Sequence, residues 1–341
     1  MWAINDDFWL MAIIYVALGL AVGVLISIRR SRRKSSSSDH KKPQTATALS
    51  HSTYVVNGRY DLSSPPFKQG GMATIWLAVE RKTGKTRIIK TARRGTTIDN
   101  VYLDKLMLEA SCLKGLSHPG IVKYCDDFYF KDEFHLVVEY ITGETLLTSS
   151  VRSPFSEQEV IGWACQLLDA LAYLHDCGMV HRDINPKNIM LCNDGAVKLI
   201  DFGTAKKLNN GGNKDKAMHD PFTQITNRGF DIPELFIGGD SDQRCDLCGL
   251  AQTCIYLLTL NQPNEVCSNL LKSNWPRSYH ESKTIADYLI AEGISSRTAK
   301  CLSQAIRFSA DDRFADAHAM KAALSSVEGY SPKSMEVLAQ K

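Results

Sequence analysis

Asp183, Asn188 and Asp201 are residues of the types that hold a divalent cation and accept a proton from a hydroxyl, and they fall within one short stretch. That stretch, residues 179–203, reads MVHRDINPKNIMLCNDGAVKLIDFG. Its polar clusters, His181-Arg182-Asp183 with Asn188 and then Asp201-Phe202-Gly203, are separated by the apolar runs Ile189–Leu191 and Val197–Ile200. Between the runs lies Asn193-Asp194-Gly195, and Asp-Gly flanked by apolar runs of strand length predicts a β-hairpin. A hairpin returns the chain to its starting point, so Asp183, Asn188 and Asp201 are expected at one end. Two carboxylates and an amide converging there meet what phosphoryl transfer asks of a protein: cation ligands and a proton acceptor.

Two blocks of chain must position this stretch. From Tyr54 the pattern predicts strands over Tyr54–Leu62, Ala73–Arg81 and Thr86–Thr91, with Gly70-Gly71 and Lys82-Thr83-Gly84 in the turns. After Thr96 the apolar spacing turns helical, with Leu103, Leu106, Met107, Ala110 and Leu113 on one face, and Ile121–Tyr124 and Phe134–Tyr140 return to strand character. The second block is mostly helical. Glu157–Cys177 is an amphipathic helix leading into the polar stretch, and a strongly apolar helix is predicted over Cys245–Leu260. Helical patterns continue through Ser282–Leu289, Ser296–Ile306 and Ala315–Val327, before a polar tail at 328–341.

His-Arg-Asp-Ile-Asn-Pro-Lys-Asn at 181–188 followed by Ile-Asp-Phe-Gly at 200–203 resembles the catalytic loop and metal-binding loop of the protein kinase superfamily. The resemblance covers roughly residues 54–327. It implies an α+β bilobal fold, with a small β-rich N-lobe over 54–141 and a larger helical C-lobe over 142–327. It also implies an ATP-dependent kinase acting on Ser or Thr of a protein substrate, with Mg2+ as cofactor and Mn2+ as the alternative ion. Asp183 would be the catalytic base, Asn188 and Asp201 the metal ligands, and His181 and Phe202 packing residues behind them. Arg182 is of the type that pairs with a phosphorylated activation segment. Residues 204–231 would be that segment, with Thr223 and Thr226 as candidate phosphosites.

The turn Lys68-Gln69-Gly70-Gly71-Met72-Ala73-Thr74-Ile75 lines up with the family's phosphate-covering glycine loop, although Lys68 and Ala73 replace its outer glycines. Lys90 stands where the family places the lysine on the α and β phosphates, and Glu109 where it places that lysine's partner. Val138-Glu139-Tyr140-Ile141 resembles the hinge whose backbone contacts adenine, with Met190 as the floor beneath the ring. Ile88 occupies a position that kinases usually give to alanine, which narrows or shifts the pocket. The lysine usual two residues after the base is absent; Asn185 sits there, and Lys187 is the candidate for its positive charge, an arrangement more like tyrosine kinases. Glu234, in Ile232-Pro233-Glu234, would pair with Arg313, and Asp246 would hold the catalytic-loop backbone.

The formal net charge of +3 in 341 residues argues against a dedicated nucleic-acid binder, and no nucleic-acid partner is expected. The ten cysteines form no paired metal-ligand set, and Cys245 and Cys248 read as part of an apolar helix. Residues 8–28 carry no charge over twenty-one positions, the length of a transmembrane helix, after a short tail at 1–7. Arg29, Arg30, Arg32, Arg33 and Lys34 follow, so the positive-inside rule predicts a single-pass membrane protein with its N-terminus outside and the kinase domain cytoplasmic. Residues 29–53 read as a basic Ser-rich linker whose Arg29–Lys34 end is suited to anionic lipid. Two other functions compete with an active kinase: a pseudokinase scaffold, suggested by Lys68, Ala73, Ile88 and Asn185, and a kinase of a small molecule or lipid.

Overall fold

The computed structural model describes residues 52–70, 73–92, 99–151, 153–208, 230, 232–236, 241–263 and 282–325. Its first two strands, β1 (Ser52–Val56) and β2 (Tyr60–Ser64), form an antiparallel hairpin. Asn57 (φ 50°) and Gly58 (φ 64°) both take the left-handed conformation that a two-residue hairpin turn requires. The single strand expected over Tyr54–Leu62 is therefore two, and the boundary expected at 54 falls inside β1.

A short β3 (Lys68–Gln69) pairs with β4 (Ala73–Glu80), which pairs in turn with β5 (Thr86–Ala92). The helix α1 (Asp99–Leu113) follows, then β6 (Tyr124–Phe130) and β7 (Glu133–Glu139). The antiparallel sheet runs β1-β2-β4-β5-β7-β6, with β3 on β4. Leu106, Ala110 and Leu113 of α1 are buried toward β5, β6 and β7, whereas Met107 is exposed. The expected strand over 121–124 is confined to a bridge at Ile121 with Leu199; the ladder begins at Tyr124.

The second lobe is helical around a small three-stranded sheet. After the hinge come β8 (Gly143–Thr145), α2 (Leu146–Ser149) and the 20-residue α3 (Glu157–Asp176). Ser156 and Glu159 close the α3 N-terminus with a reciprocal capping box. The polar stretch forms β9 (Met179–Val180), a 3-10 turn at Pro186–Asn188, β10 (Ile189–Cys192) and β11 (Val197–Leu199). β10 lies between β8 and β11, and β9 pairs with β12 (Lys206–Lys207). The turn between β10 and β11 has Gly195 at φ 83°, so the expected hairpin is present.

Under it lie α4 (Pro233–Phe236), α5 (Arg244–Thr259), α6 (Ser282–Ala291), α7 (Ser296–Ala305) and α8 (Ala317–Ser325). α5 is buried from Cys245 to Ile255 and packs against α3 and α7, so Cys245 and Cys248 are core residues. Each fully buried Leu there contributes roughly 1.5–3 kcal/mol over its exposed state. Gly249 of α5 lies directly beneath the loop after β9: a Cβ there would stand 2.9 Å from the Ile184 carbonyl oxygen. Gly143 lies as close to β10, with φ 154° and a notional Cβ 2.0 Å from the Leu191 carbonyl oxygen.

The expected single-pass membrane topology is corrected. Among the described residues no helix is long and apolar enough to cross a membrane. The 20-residue α3 carries Glu157, Glu159, Asp169 and Asp176, and the apolar α5 is 16 residues long against the ~20 a bilayer core takes. Residues 8–28 and Arg29–Lys34 lie outside the described residues, as do Gly71, Thr223 and Thr226.

Candidate functional site

Two non-glycine residues of the polar stretch, Arg182 (φ 68°) and Asp201 (φ 69°), have left-handed backbones, each costing on the order of 1 kcal/mol. Asp246 at the start of α5 offsets the first. Its carboxylate accepts the N–H of His181 at 2.9 Å and of Arg182 at 2.7 Å, and meets His175 Nε2 at 2.9 Å. Burial alone would raise the Asp246 carboxyl, but the His175 hydrogen bond and the His181 N–H hold it below the ordinary range. The ring of His181 meets that of Phe202 edge-on at 4.7 Å, both fully buried. Burial pushes His181 below its ordinary value against Asp246 and Asp201, so it is a neutral packing residue.

Asp183 follows this anchored pair. Asn185 Nδ2 donates to Asp183 Oδ1 at 2.5 Å, and Asn188 Nδ2 donates to Oδ2 at 2.8 Å. Both amides also reach the Asp183 carbonyl, at 3.1 and 3.0 Å. The Ile200 N–H donates to the Asn188 carbonyl at 2.9 Å, which joins the two ends of the hairpin beside Asp201. Asp183, Asn188 and Asp201 therefore meet at one end, as the hairpin argument requires.

Across from them, Lys90 Nζ donates to Glu109 Oε1 at 2.7 Å. Burial lowers the Lys90 ammonium, but Glu109 and Asp201 outweigh it, and the lysine stays charged above its ordinary value. Glu109 is pushed up by burial and pulled back by Lys90 and by the Phe202 N–H, which ties α1 to the Asp201 loop. At Asp201 burial again opposes ionisation, and Lys90, the Gly203 N–H and Lys187 overcome it, so the carboxyl is held below its ordinary value. Lys187 thus bears on Asp201, which makes it part of the same electrostatic group.

Around this group stand the remaining candidates. The Gly70 N–H donates to the Ala73 carbonyl at 2.9 Å, closing the turn before β4, and Ile75 pairs with Lys90 across β4 and β5. Ile88 pairs with Val138 across β5 and β7. Glu139 accepts from the Lys123 N–H at 3.0 Å and from Lys198 Nζ at 2.6 Å, so its side chain ties the hinge to β11. Ile141 packs on the main core, and Met190 is half-buried on β10 opposite Thr145 and Lys198. Arg182 Nε is buried with no hydrogen-bond partner among the described residues. Arg313 makes the expected bridge to Glu234, with both contacts at 2.7 Å.

Sequence reasoning missed three parts: the amide of Asn185 on Asp183, the side-chain tie of Glu139, and His175 behind Asp246. For Asn185 a signal existed, since Asn before Pro favours a turn in which its side chain bonds the backbone two residues on; its oxygen accepts the Lys187 N–H at 3.1 Å.

The donor set suits a hard cation bound together with a ligand's phosphates. Among the described residues no group of three or more His, Cys, Asp or Glu forms a self-sufficient metal cluster. One ionised carboxylate, Asp201, and one amide, Asn188, with its nitrogen engaged and its oxygen left as the donor, match an ion that keeps few protein ligands.

Residues 68–324 match the family model described as protein kinase domain. A probable serine/threonine-protein kinase of Streptomyces coelicolor is 33% identical over 214 residues, 61% of this chain and 31% of that protein. MAP3K epsilon protein kinase 1 of Brassica napus is 31% identical over 172 residues, 49% of this chain and 13% of that protein. The chain thus spans about a third or less of these relatives. The crystal structure of the Mycobacterium tuberculosis PknI kinase domain superposes with a TM-score of 0.57 at 22% identity, covering 80% of this chain and 96% of that one, which shows a shared fold.

Proposed function

Because this chain belongs to the protein kinase domain family, we propose that it transfers the γ-phosphoryl group of ATP to a serine or threonine hydroxyl of a protein. The reading rests above all on one observation: Asp183, clamped by Asn188, stands at the hairpin end beside an ionised Asp201 that is electrostatically joined to the Lys90–Glu109 pair. Lys90, Glu109, Asp183 and Asp201, the charged groups that such a transfer needs, support the reading by their presence.

In this reading the substrate oxygen attacks the γ-phosphorus as the bond to the β–γ bridging oxygen breaks. Asp183 takes the hydroxyl proton, and ADP leaves with the electron pair of the broken bond. Asn188 Oδ1 and the Asp201 carboxylate would hold the cation, Mg2+ with Mn2+ as the alternative, which when bound neutralises the phosphate charge. Lys90, oriented by Glu109, meets the α and β phosphates, and Lys187 carries positive charge toward the γ-phosphate. Gly70, Gly71 and Ile75 cover the phosphates. The backbone at Glu139 and Ile141 contacts adenine over Met190. Arg182, whose buried Nε has no hydrogen-bond partner among the described residues, receives the activation segment once Thr223 or Thr226 is phosphorylated. The domain starts with β1 at Ser52, ahead of the expected 54, runs to 327, and its lobes meet between 141 and 142.

The test is phosphate transfer from labelled ATP with Mg2+ to a generic basic protein by the full chain, beside Asp183→Ala and Asp201→Ala. Each substitution should lower kcat by about 10²–10⁴-fold, with label on phosphoserine or phosphothreonine. Equal transfer by the parent and both variants would sink the assigned roles.

A further inference from the structure

Asn185 departs from the family's lysine, and the geometry gives it a specific task. Only 3% of the residue is exposed, so it does not reach a bound protein substrate. Its amide oxygen accepts the Lys187 N–H at 3.1 Å and caps the 3-10 turn. Its nitrogen is shared between the Asp183 carbonyl at 3.1 Å and Asp183 Oδ1 at 2.5 Å. With Asn188 Nδ2 on Oδ2 at 2.8 Å, each carboxylate oxygen of Asp183 has its own amide donor.

We propose that Asn185 is a positioning residue for phosphoryl transfer: with Asn188 it grips the Asp183 carboxylate from both oxygens and fixes its rotation toward the incoming hydroxyl. This rests on the reading of Asp183 as the base. A carboxylate torsion is broad and roughly two-fold, so a group held on one oxygen alone keeps rotational freedom that a group held on both loses. Placement matters at this level, since a displacement of about 1 Å costs on the order of 10²-fold in rate. A lysine at 185 carries three donors and no acceptor, so it cannot cap Lys187 and hold Asp183 as the amide does. In this reading Lys187 carries the positive charge, and the neutral amide at 185 does the positioning.

Two substitutions separate positioning from turn capping. In Asn185→Ser the hydroxyl can still accept the Lys187 N–H, but it is too short to hold Asp183 Oδ1; in Asn185→Asp the cap remains and the donor is lost. Asn185→Ser should fold with a melting temperature near the parent's and an unchanged thermal shift on adding ADP and Mg2+; Asn185→Asp sets a second buried carboxylate against Asp183 and should melt lower while keeping that thermal shift. Both should lose about 10–100-fold in kcat, with the KM for ATP within about two-fold of the parent's. Asn185→Lys should be no better than Asn185→Ser. Parent-like kcat in the Ser and Asp variants would leave only the turn cap and overturn the proposal. A parent that transfers no phosphate, or transfer indifferent to Asp183→Ala, would overturn the assignment of the base itself and this role with it.

Discussion

A neutral His181 and an ionised Asp246 stand side by side, and both make the folded chain acid-sensitive. His181 is held below its ordinary 6.5 by burial, so the unfolded chain takes up a proton near pH 6.5 that the folded chain refuses. Stability is therefore fully present above 6.5 and falls as pH drops below it. Asp246, held below 3.8, works the same way lower down: protonation of the unfolded chain near 3.8 outruns that of the folded one, and the loss continues toward the folded value. The melting temperature should fall between about pH 8 and pH 5.5, a range in which histidine is the side chain that titrates. In His181→Phe that slope should be shallower; an equal slope would show that His181 is not the titrating group. The packing of His181 on Phe202 was legible in the motif. His175 was not, because nothing in a helix of mixed polarity says whether its one histidine turns inward.

At the scale of elements, glycines decide how closely strand and helix approach the catalytic hairpin. Gly143 brings β8 against β10 where no Cβ fits, and the obstructing atom is a backbone carbonyl that cannot rotate aside. Gly143→Ala should cost about 1–3 kcal/mol or more as overpacking and should raise the KM for ATP, because β8 follows the hinge. Denaturant unfolding and nucleotide titration measure the two effects, and an unperturbed variant would mean that β8 shifts freely. The hairpin itself was legible, since Asp194-Gly195 is a strong turn signal between two apolar runs. Asn57-Gly58 carries a signal of the same kind inside a continuous apolar pattern, and there the turn, not the pattern, decides the structure. Met107 shows the limit of periodicity: helical spacing puts it on the apolar face, yet it is exposed, with its Sδ reached by the Tyr129 hydroxyl of β6 at 3.6 Å.

Across the whole molecule, contacts between distant segments are what the sequence conceals. Arg313 and Glu234 lie 79 residues apart, and only the family resemblance pairs them. The arginine side chain is fully buried and also donates to the carbonyls of Arg307, Phe308 and Arg244. Arg313→Ala should cost about 3–5 kcal/mol, since it leaves the half-buried Glu234 carboxylate and three backbone carbonyls without this donor. Arg313→Lys should recover only part, since an ammonium cannot reproduce the planar fork. Urea unfolding checks both, and a loss below about 1 kcal/mol would place the bridge with weak surface pairs.

The N-terminal hairpin bears on how this domain can be cut. Val56, Tyr60 and Leu62 supply half of the small core that Ala78, Ile89 and Val137 complete, yet all three precede residue 68, where the family match begins. Expression trimmed to the match would strip β1 and β2 from the sheet and leave β4 with a row of unpaired amides and carbonyls. Such an edge is a template for chain-to-chain pairing. Solubility of the recombinant domain is thus set by sixteen residues, 52–67, that carry none of the chemistry.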